Sequence, residues 1–291
     1  MITRFDHAVI AARDLVQAQR LFSESLGFEV YPGGRHTGMG TENRIIRFGL
    51  DYLELLGIYD REEVAAAGMS REALAEYLTT HEGGMLGFAL ATDDIDGLAA
   101  RLARTGLEAT GPYDMQRQRP DGVVLRWRLL VPGGSAWRRP WPFFIQWGMA
   151  DTERLSFERP GRHPLGAQRV RGVSVVVRDG AAARHLYETQ IGLIVDFEDE
   201  TDAGPCVTYR VGDFTVDVLC PRANSAAGRF LSENGEGLYQ VVLQVDSLNH
   251  AQNYLAERGI AFAREGTEAA PWAIPAADAL GAELVLIGPQ D

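Results

Sequence analysis

A unit of about fifty to sixty residues, reading strand, helix, then three strands, recurs four times along this chain. The clearest copies are Phe5-Asp6-His7-Ala8-Val9-Ile10-Ala11-Ala12-Arg13-Asp14 and Arg171-Gly172-Val173-Ser174-Val175-Val176-Val177-Arg178-Asp179. Asp14 and Asp179, Phe22 and Tyr187, and Gly27 and Gly192 are separated by one constant offset. Weaker copies begin at Gly87-Phe88-Ala89-Leu90-Ala91-Thr92-Asp93-Asp94 and at Tyr239-Gln240-Val241-Val242-Leu243. A repeat of this kind constrains the fold more than any isolated motif, because each copy must bury the same faces.

Within the first unit, Asp6 to Ala12 alternates as a strand, and Asp14 is placed to cap a helix. Leu15, Ala18, Leu21, Phe22 and Leu26 form one apolar stripe at helical spacing, and Gly27 is positioned as a left-handed end. Phe28 to Tyr31 reads as the second strand, broken by Pro32-Gly33-Gly34, with a hairpin over 44–48 and 52–58. The second unit predicts strands over 86–92, 124–131 and 143–147 and a helix from Asp94 to Arg104. An extra helical stretch spans 60–81, and a polar connector carrying Pro160 and Pro164 spans 151–167. The expected organisation is an α+β fold of four βαβββ modules paired into two half-barrel domains, 1–150 and 168–291, each with a concave face suited to a small ligand.

The 291 residues suffice for two domains with real cores, and the chain is 46% apolar and 23% charged, as globular proteins are. No apolar run is long enough for a membrane span, and no basic-then-apolar leader opens the chain, so a cytoplasmic location is expected. A net charge of −12 argues against nucleic acid and anionic membranes as partners. Cys206 and Cys220 are expected as reduced thiols. The glycine-containing stretch 33–43 lacks phosphate-loop spacing, so no nucleotide cofactor is expected.

The four repeats, the opening Asp6-His7-Ala8-Val9-Ile10 and the run Tyr52-Leu53-Glu54-Leu55 together resemble the vicinal oxygen chelate superfamily. Two stretches, 32–43 and Trp141-Pro142-Phe143-Phe144-Ile145-Gln146-Trp147, resemble its glyoxalase-like branch. The resemblance implies a divalent metal held on the first and last strands of two paired modules, by histidine from the first strand and a carboxylate or glutamine from the last. His7 and Glu54 match two of those positions. In the second module Gly87 takes the histidine place, and counting from Gly148 puts Ile145 opposite Glu54 with Gln146 one residue away. The expected ligand set is therefore His7, Glu54 and Gln146, with His36 or the substrate completing it. In the C-terminal half, Gly172 and Tyr239 take the histidine places and Val216 (or Asp217) and Val285 the carboxylate ones, so that half reads as structural.

A strand histidine beside an aspartate is also a common structural pair, and Glu54 among leucines is either a functional carboxylate or the partner of an arginine. Arg35, His36, Thr41 and Asn43 supply polar groups for a substrate carbonyl or anion. Arg126 and Arg128 share one strand face, and Arg128 either clamps a substrate carboxylate or faces solvent. Trp147 is expected at the pocket wall. These residues predict a small-molecule enzyme, monomeric or homodimeric, that removes a proton next to a carbonyl, as lyases and isomerases do, with His7 and Glu54 as acid–base pair or metal ligands. The rival readings are a binding protein without turnover and a metal-free hydrolase or isomerase.

Overall fold

The computed structural model describes residues 1–67, 71–119, 121–135, 137–260, 262–264 and 271–289. The first module comprises β1 (Ile2–Ala12), α1 (Leu15–Arg20, continued by a π-helical turn over Leu21–Ser25), β2 (Val30–His36), β3 (Thr41–Arg47) and β4 (Tyr52–Ile58). Two further helices follow, α2 (Arg61–Ala67) and α3 (Arg71–Thr80). The second module is β5 (Gly83–Thr92), α4 (Ile95–Arg104), β6 (Ala109–Gln118), β7 (Val124–Pro132) and β8 (Phe143–Trp147). Asp14 accepts from the backbone N–H of Val16 and Gln17, and Asp94 from that of Gly97, so each aspartate caps its helix as the spacing predicts. Pro32-Gly33-Gly34 does not break β2; the strand runs on to His36, with a register shift between Pro32 and Gly34.

The eight strands close into a barrel in the order β1-β4-β3-β2-β6-β7-β8-β5. Strand alternation divides its two faces. Ala8, Ile10 and Ala12 of β1 point outward, into the core that includes Leu15, Ala18 and Phe22 of the first helical segment. Val9 and Ala11 point inward, among Leu56, Ala89, Ala91, Met115, Leu125, Trp127, Phe143 and Ile145. Leu74 and Leu78 of α3 join that inner cluster, which gives the helical stretch between the modules a packing role.

The second half repeats the plan with β9 (Ala167–Val176), α6 (Gly180–Arg184, continued by a π-helical turn over His185–Ile191), β10 (Ile194–Thr201), β11 (Gly204–Val211) and β12 (Phe214–Leu219). Then come α7 (Ala226–Asn234), β13 (Gly237–Val245), α8 (Leu248–Ala256), β14 (Ala263–Arg264), β15 (Trp272–Ile274) and β16 (Glu283–Ile287). Here the sheet stays open, in the order β10-β11-β12-β9-β13-β16-β15-β14. Gly192, at φ +90°, ends the first helical segment of this half in the left-handed conformation that glycine adopts without strain. The two halves share one continuous apolar core, in which Phe5 stacks on Phe214 at 4.3 Å. The expected connector instead contains α5 (Asp151–Phe157), and its Arg154 together with the following Glu158 is buried. No helix among the described residues is long and apolar enough to cross a membrane.

Candidate functional site

Consecutive residues of a regular strand face opposite ways, so Asp6 and His7 should not meet. They do, because β1 slips in register against β5 between Phe5 and His7: Phe5 pairs with Leu90 and His7 with Ala89. Asp6 is the extra residue of that β-bulge. Its Oδ1 lies 2.8 Å from His7 Nδ1. The second module slips at the corresponding place, with Val9 paired to Gly87 and Ile10 to Met85. Leu86-Gly87 thus stands where the first module has Asp6-His7, and it supplies no ligand.

Around His7 the barrel interior is polar. His7 Nε2 is 3.5 Å from Glu54 Oε2, and His36 Nε2 is 3.6 Å from Glu54 Oε1. Asn43 Nδ2 donates to Glu54 Oε1 and lies 3.3 Å from His36 Nε2. Thr41 Oγ1 is 2.9 Å from His36 Nδ1. Arg117 Nη1 donates to Asn43 Oδ1 at 3.2 Å, which fixes the direction of the Asn43 amide. The Tyr52 ring stacks on His7 at 4.7 Å, and burial, with the charges of Asp6 and Glu54, pushes its phenol well above its ordinary value. Phe143, Trp127, Trp137 and Trp147 form much of the remaining wall of a cavity whose free space, open solvent included, is about 590 Å³. Trp137 Nε1 is buried there without a hydrogen-bond partner.

A layer of charge lies next to this cluster. Asp6 has no exposed surface, and burial alone would push its carboxyl up. The Arg4 guanidinium at 2.7 Å, the hydrogen bond from His7 and the charge of Arg154 outweigh that and hold it well below the usual carboxylate range. Trp147 Nε1 donates to Asp6 Oδ2 at 2.9 Å while the Arg154 guanidinium lies 3.7 Å over its ring. Glu158, also buried, bonds Arg154 at 2.9 Å and Arg47 at 2.8 Å. An ionised Asp6 only accepts, so the proton of neutral His7 sits on Nδ1 and the Nε2 lone pair faces Glu54.

His7, Glu54, His36, Thr41, Asn43 and Trp147 are therefore brought together as expected residues of one cavity. Gln146 is not: its amide accepts from Ile95 N at 3.1 Å and donates to Asp93 O at 2.8 Å, at the start of α4. Arg128 forms a two-pronged pair with Asp96 at 2.6 and 2.8 Å on the outer surface. Arg35 lies over the Tyr59 ring at 4.3 Å, with its side chain 67% exposed. The expected match of Ile145 to Glu54 is also off by two residues. Glu54 pairs with Val9, and the corresponding pair in the second module is Phe143 with Ala89. In the C-terminal half the same comparison selects Asp217, paired with Ser174, and moves the histidine place from Tyr239 to Gln240, because Ser247 caps α8. Arg117, Arg154 and Glu158 join the site without standing out in the sequence, although a strand template between Arg104 and Val124 points to the first.

The superfamily's metal positions are thus held by His7, Gly87, Glu54 and Phe143. His36 Nε2, the nearest further donor, is already met by the Asn43 amide. Among the described residues no group of three or more His, Cys, Asp or Glu side chains is arranged to hold a metal ion. The donor set of the described residues does not fit the superfamily's metal.

A family model described as a glyoxalase-like domain matches residues 5–191. Among solved structures, a hypothetical protein from Staphylococcus aureus is similar over 99% of this chain and 100% of its own, at 18% identity and a TM-score of 0.70. A mutant of 4-hydroxymandelate synthase from Streptomyces coelicolor is similar over 91% of this chain and 77% of its own, at 18% identity and a TM-score of 0.62. At such identities the likeness is one of fold. No curated protein matches the chain. The bulged repeats, the closed barrel and the family match agree: the chain belongs to the glyoxalase-like domain family of the vicinal oxygen chelate superfamily.

Proposed function

We propose that this protein is a small-molecule enzyme that removes a proton from a carbon next to a carbonyl, in a lyase- or isomerase-type reaction. The observation that carries this reading is the line Asp6–His7–Glu54 inside a walled cavity. Asp6 acts as a positioning residue: it holds the imidazole and fixes its tautomer. His7 Nε2 is the base. Glu54, anchored by Asn43 and through it by Arg117, stabilises the imidazolium that forms and provides the next stop for the proton. The unpartnered Trp137 N–H supplies a donor for the oxygen that gains charge as the enolate develops. Aromatic walls exclude water and suit a substrate with an apolar or planar body.

The test is deuterium incorporation at the α-carbon of a panel of 2-oxo and 2-hydroxycarbonyl compounds in D2O, followed by proton NMR, for wild type and His7→Asn. Exchange in wild type that falls by about a hundredfold or more in the variant supports the reading. Equal rates in the two proteins would reject it. The rival reading, sequestration without turnover, is favoured by Gly87 and Phe143 at the second module's ligand positions, and it predicts tight binding of a panel compound with no exchange.

A further inference from the structure

The barrel has its shortest seam between β2 and β6, where only two residue pairs join: Arg35 with Gln118 and His36 with Arg117. Beside the part of β2 that does not pair with β6, Tyr31, Pro32 and Gly33 border a second, outer groove whose free space, open solvent included, is about 1000 Å³. Arg47, Arg117, Arg119 and Arg159 line it, against two carboxylates, Asp121 and Glu158. Both carboxylates are committed. Asp121 is held by Arg119 at 2.9 Å, and Glu158 by Arg47 and Arg154, with Arg117 and Arg119 each 3.8 Å from it. A surplus of guanidinium collects here in a chain whose net charge is −12.

The decisive residue is Arg117. It is 4% exposed, and its Nε–H is buried with no hydrogen-bond partner. A buried cationic donor left unpaired is costly, and an oxyanion is the group that best satisfies a guanidinium fork. Neighbouring chemistry agrees. Burial pushes the Arg47 guanidinium below its ordinary value, and the charges of Arg154 and Arg117 add to this against the opposing pull of Glu158. Arg117 also lines the inner cavity, where its Nη1 holds Asn43. One side chain is therefore the shared wall of the groove and the cavity.

We propose that this groove is an oxyanion subsite that anchors the carboxylate or phosphate of an elongated anionic substrate. The groove itself stands on its own geometry; the claim that its occupant is the substrate rests on the acid–base reading of the cavity. An anion there pairs with Arg119 and Arg159 and lies beside the buried Arg117 guanidinium, whose other side lines the cavity of His7.

The experiment is calorimetric titration of the full chain with inorganic phosphate and, separately, with acetate. Arg119→Gln and Arg159→Gln are compared with Arg128→Gln, which removes a guanidinium outside the groove. Arg159 is exposed and the Arg119 side chain is 22% exposed, and neither belongs to the apolar clusters of the core. Saturable binding of at least one anion is expected, weakened about tenfold by either groove variant and unaffected by Arg128→Gln. Preference for phosphate or for acetate identifies which oxyanion the substrate carries. A second readout in wild type is a shift of the Arg117 Nε–H resonance on anion addition. Absence of saturation with both anions, retention of full affinity in both groove variants, or equal weakening by Arg128→Gln would each overturn the proposal. None of these readouts involves turnover, so failure here leaves the proton-exchange test standing, and failure of that test leaves the groove standing.

Discussion

Replacing Asp6 by asparagine removes one charge from a fully buried cluster without changing the shape of the side chain. In the wild type the carboxylate receives Arg4 Nη1 at 2.7 Å, His7 Nδ1 at 2.8 Å and Trp147 Nε1 at 2.9 Å, with Arg154 Nη1 at 3.8 Å. An amide places an NH2 where an acceptor stood, so at least one of these donors loses its partner, and two guanidiniums lose one of their counter-charges, Arg4 keeping Asp151 and Arg154 keeping Glu158. Breaking a buried cluster from one side costs about 3–5 kcal/mol. The pH dependence follows from the sign of the shift. The folded Asp6 carboxyl lies well below its unfolded value of about 3.9, so its contribution is fully present above that value and is lost as pH falls towards the lower folded one. Urea unfolding of wild type and Asp6→Asn from pH 7 down to about pH 3 measures this. The stability gap should be constant to about pH 5 and then shrink by about 1.4 kcal/mol per pH unit below about pH 4. A gap under about 1 kcal/mol at pH 7, or one that does not change on acidification, would refute the reasoning.

Three further outcomes are expected. Phe214→Ala removes the ring stacked on Phe5 in the core shared by the two halves and should cost about 3–5 kcal/mol in denaturant unfolding; a loss below about 1 kcal/mol would show that the halves do not depend on this contact. Burial first, then the charges of Asp217 and Asp199, pushes the Cys206 thiol up to about 12, so its iodoacetamide labelling near neutral pH should be far slower than that of a free thiol, whose thiolate fraction is roughly a thousandfold larger. Rapid labelling of Cys206 in folded protein would contradict the burial. Proton-exchange activity should survive chelation within about twofold, and a loss that added divalent metal restores would return His7 and Glu54 to the role of metal ligands.

The repeat was legible because it rests on local physics: strand alternation at Asp6 to Ala12, a capping aspartate at Asp14, and the apolar stripe from Leu15 to Leu26. His7 and Glu54 could be singled out as polar side chains in otherwise apolar strands, whereas the bulge at Asp6 that turns both Asp6 and His7 to one side carries no local signal. What the sequence concealed depends on contacts far apart in the chain. Asp6 meets Arg154, and Arg47 meets Glu158, only after the segment beyond β8 folds back as α5. Strand β6 reads as a polar run with Gly111-Pro112 inside it, so Arg117 carries no local signal. The matching of Phe143 to Glu54 depends on how many residues the β7–β8 loop holds, and a shift of two preserves the inward face while changing the residue. Arg128 points outward because Trp127, its neighbour, fills the barrel.

The central claim is that Asp6 fixes His7 so that a bare Nε2 faces the cavity. Nitrogen-15 NMR of selectively labelled histidine, with His7 assigned by its loss in His7→Asn, reads this directly. The account predicts that neutral His7 carries its proton on Nδ1, with Nε2 unprotonated, and that Asp6→Asn disturbs this preference. A neutral His7 protonated on Nε2 in the wild type would contradict the account, because the atom placed to accept the substrate's proton would already hold one.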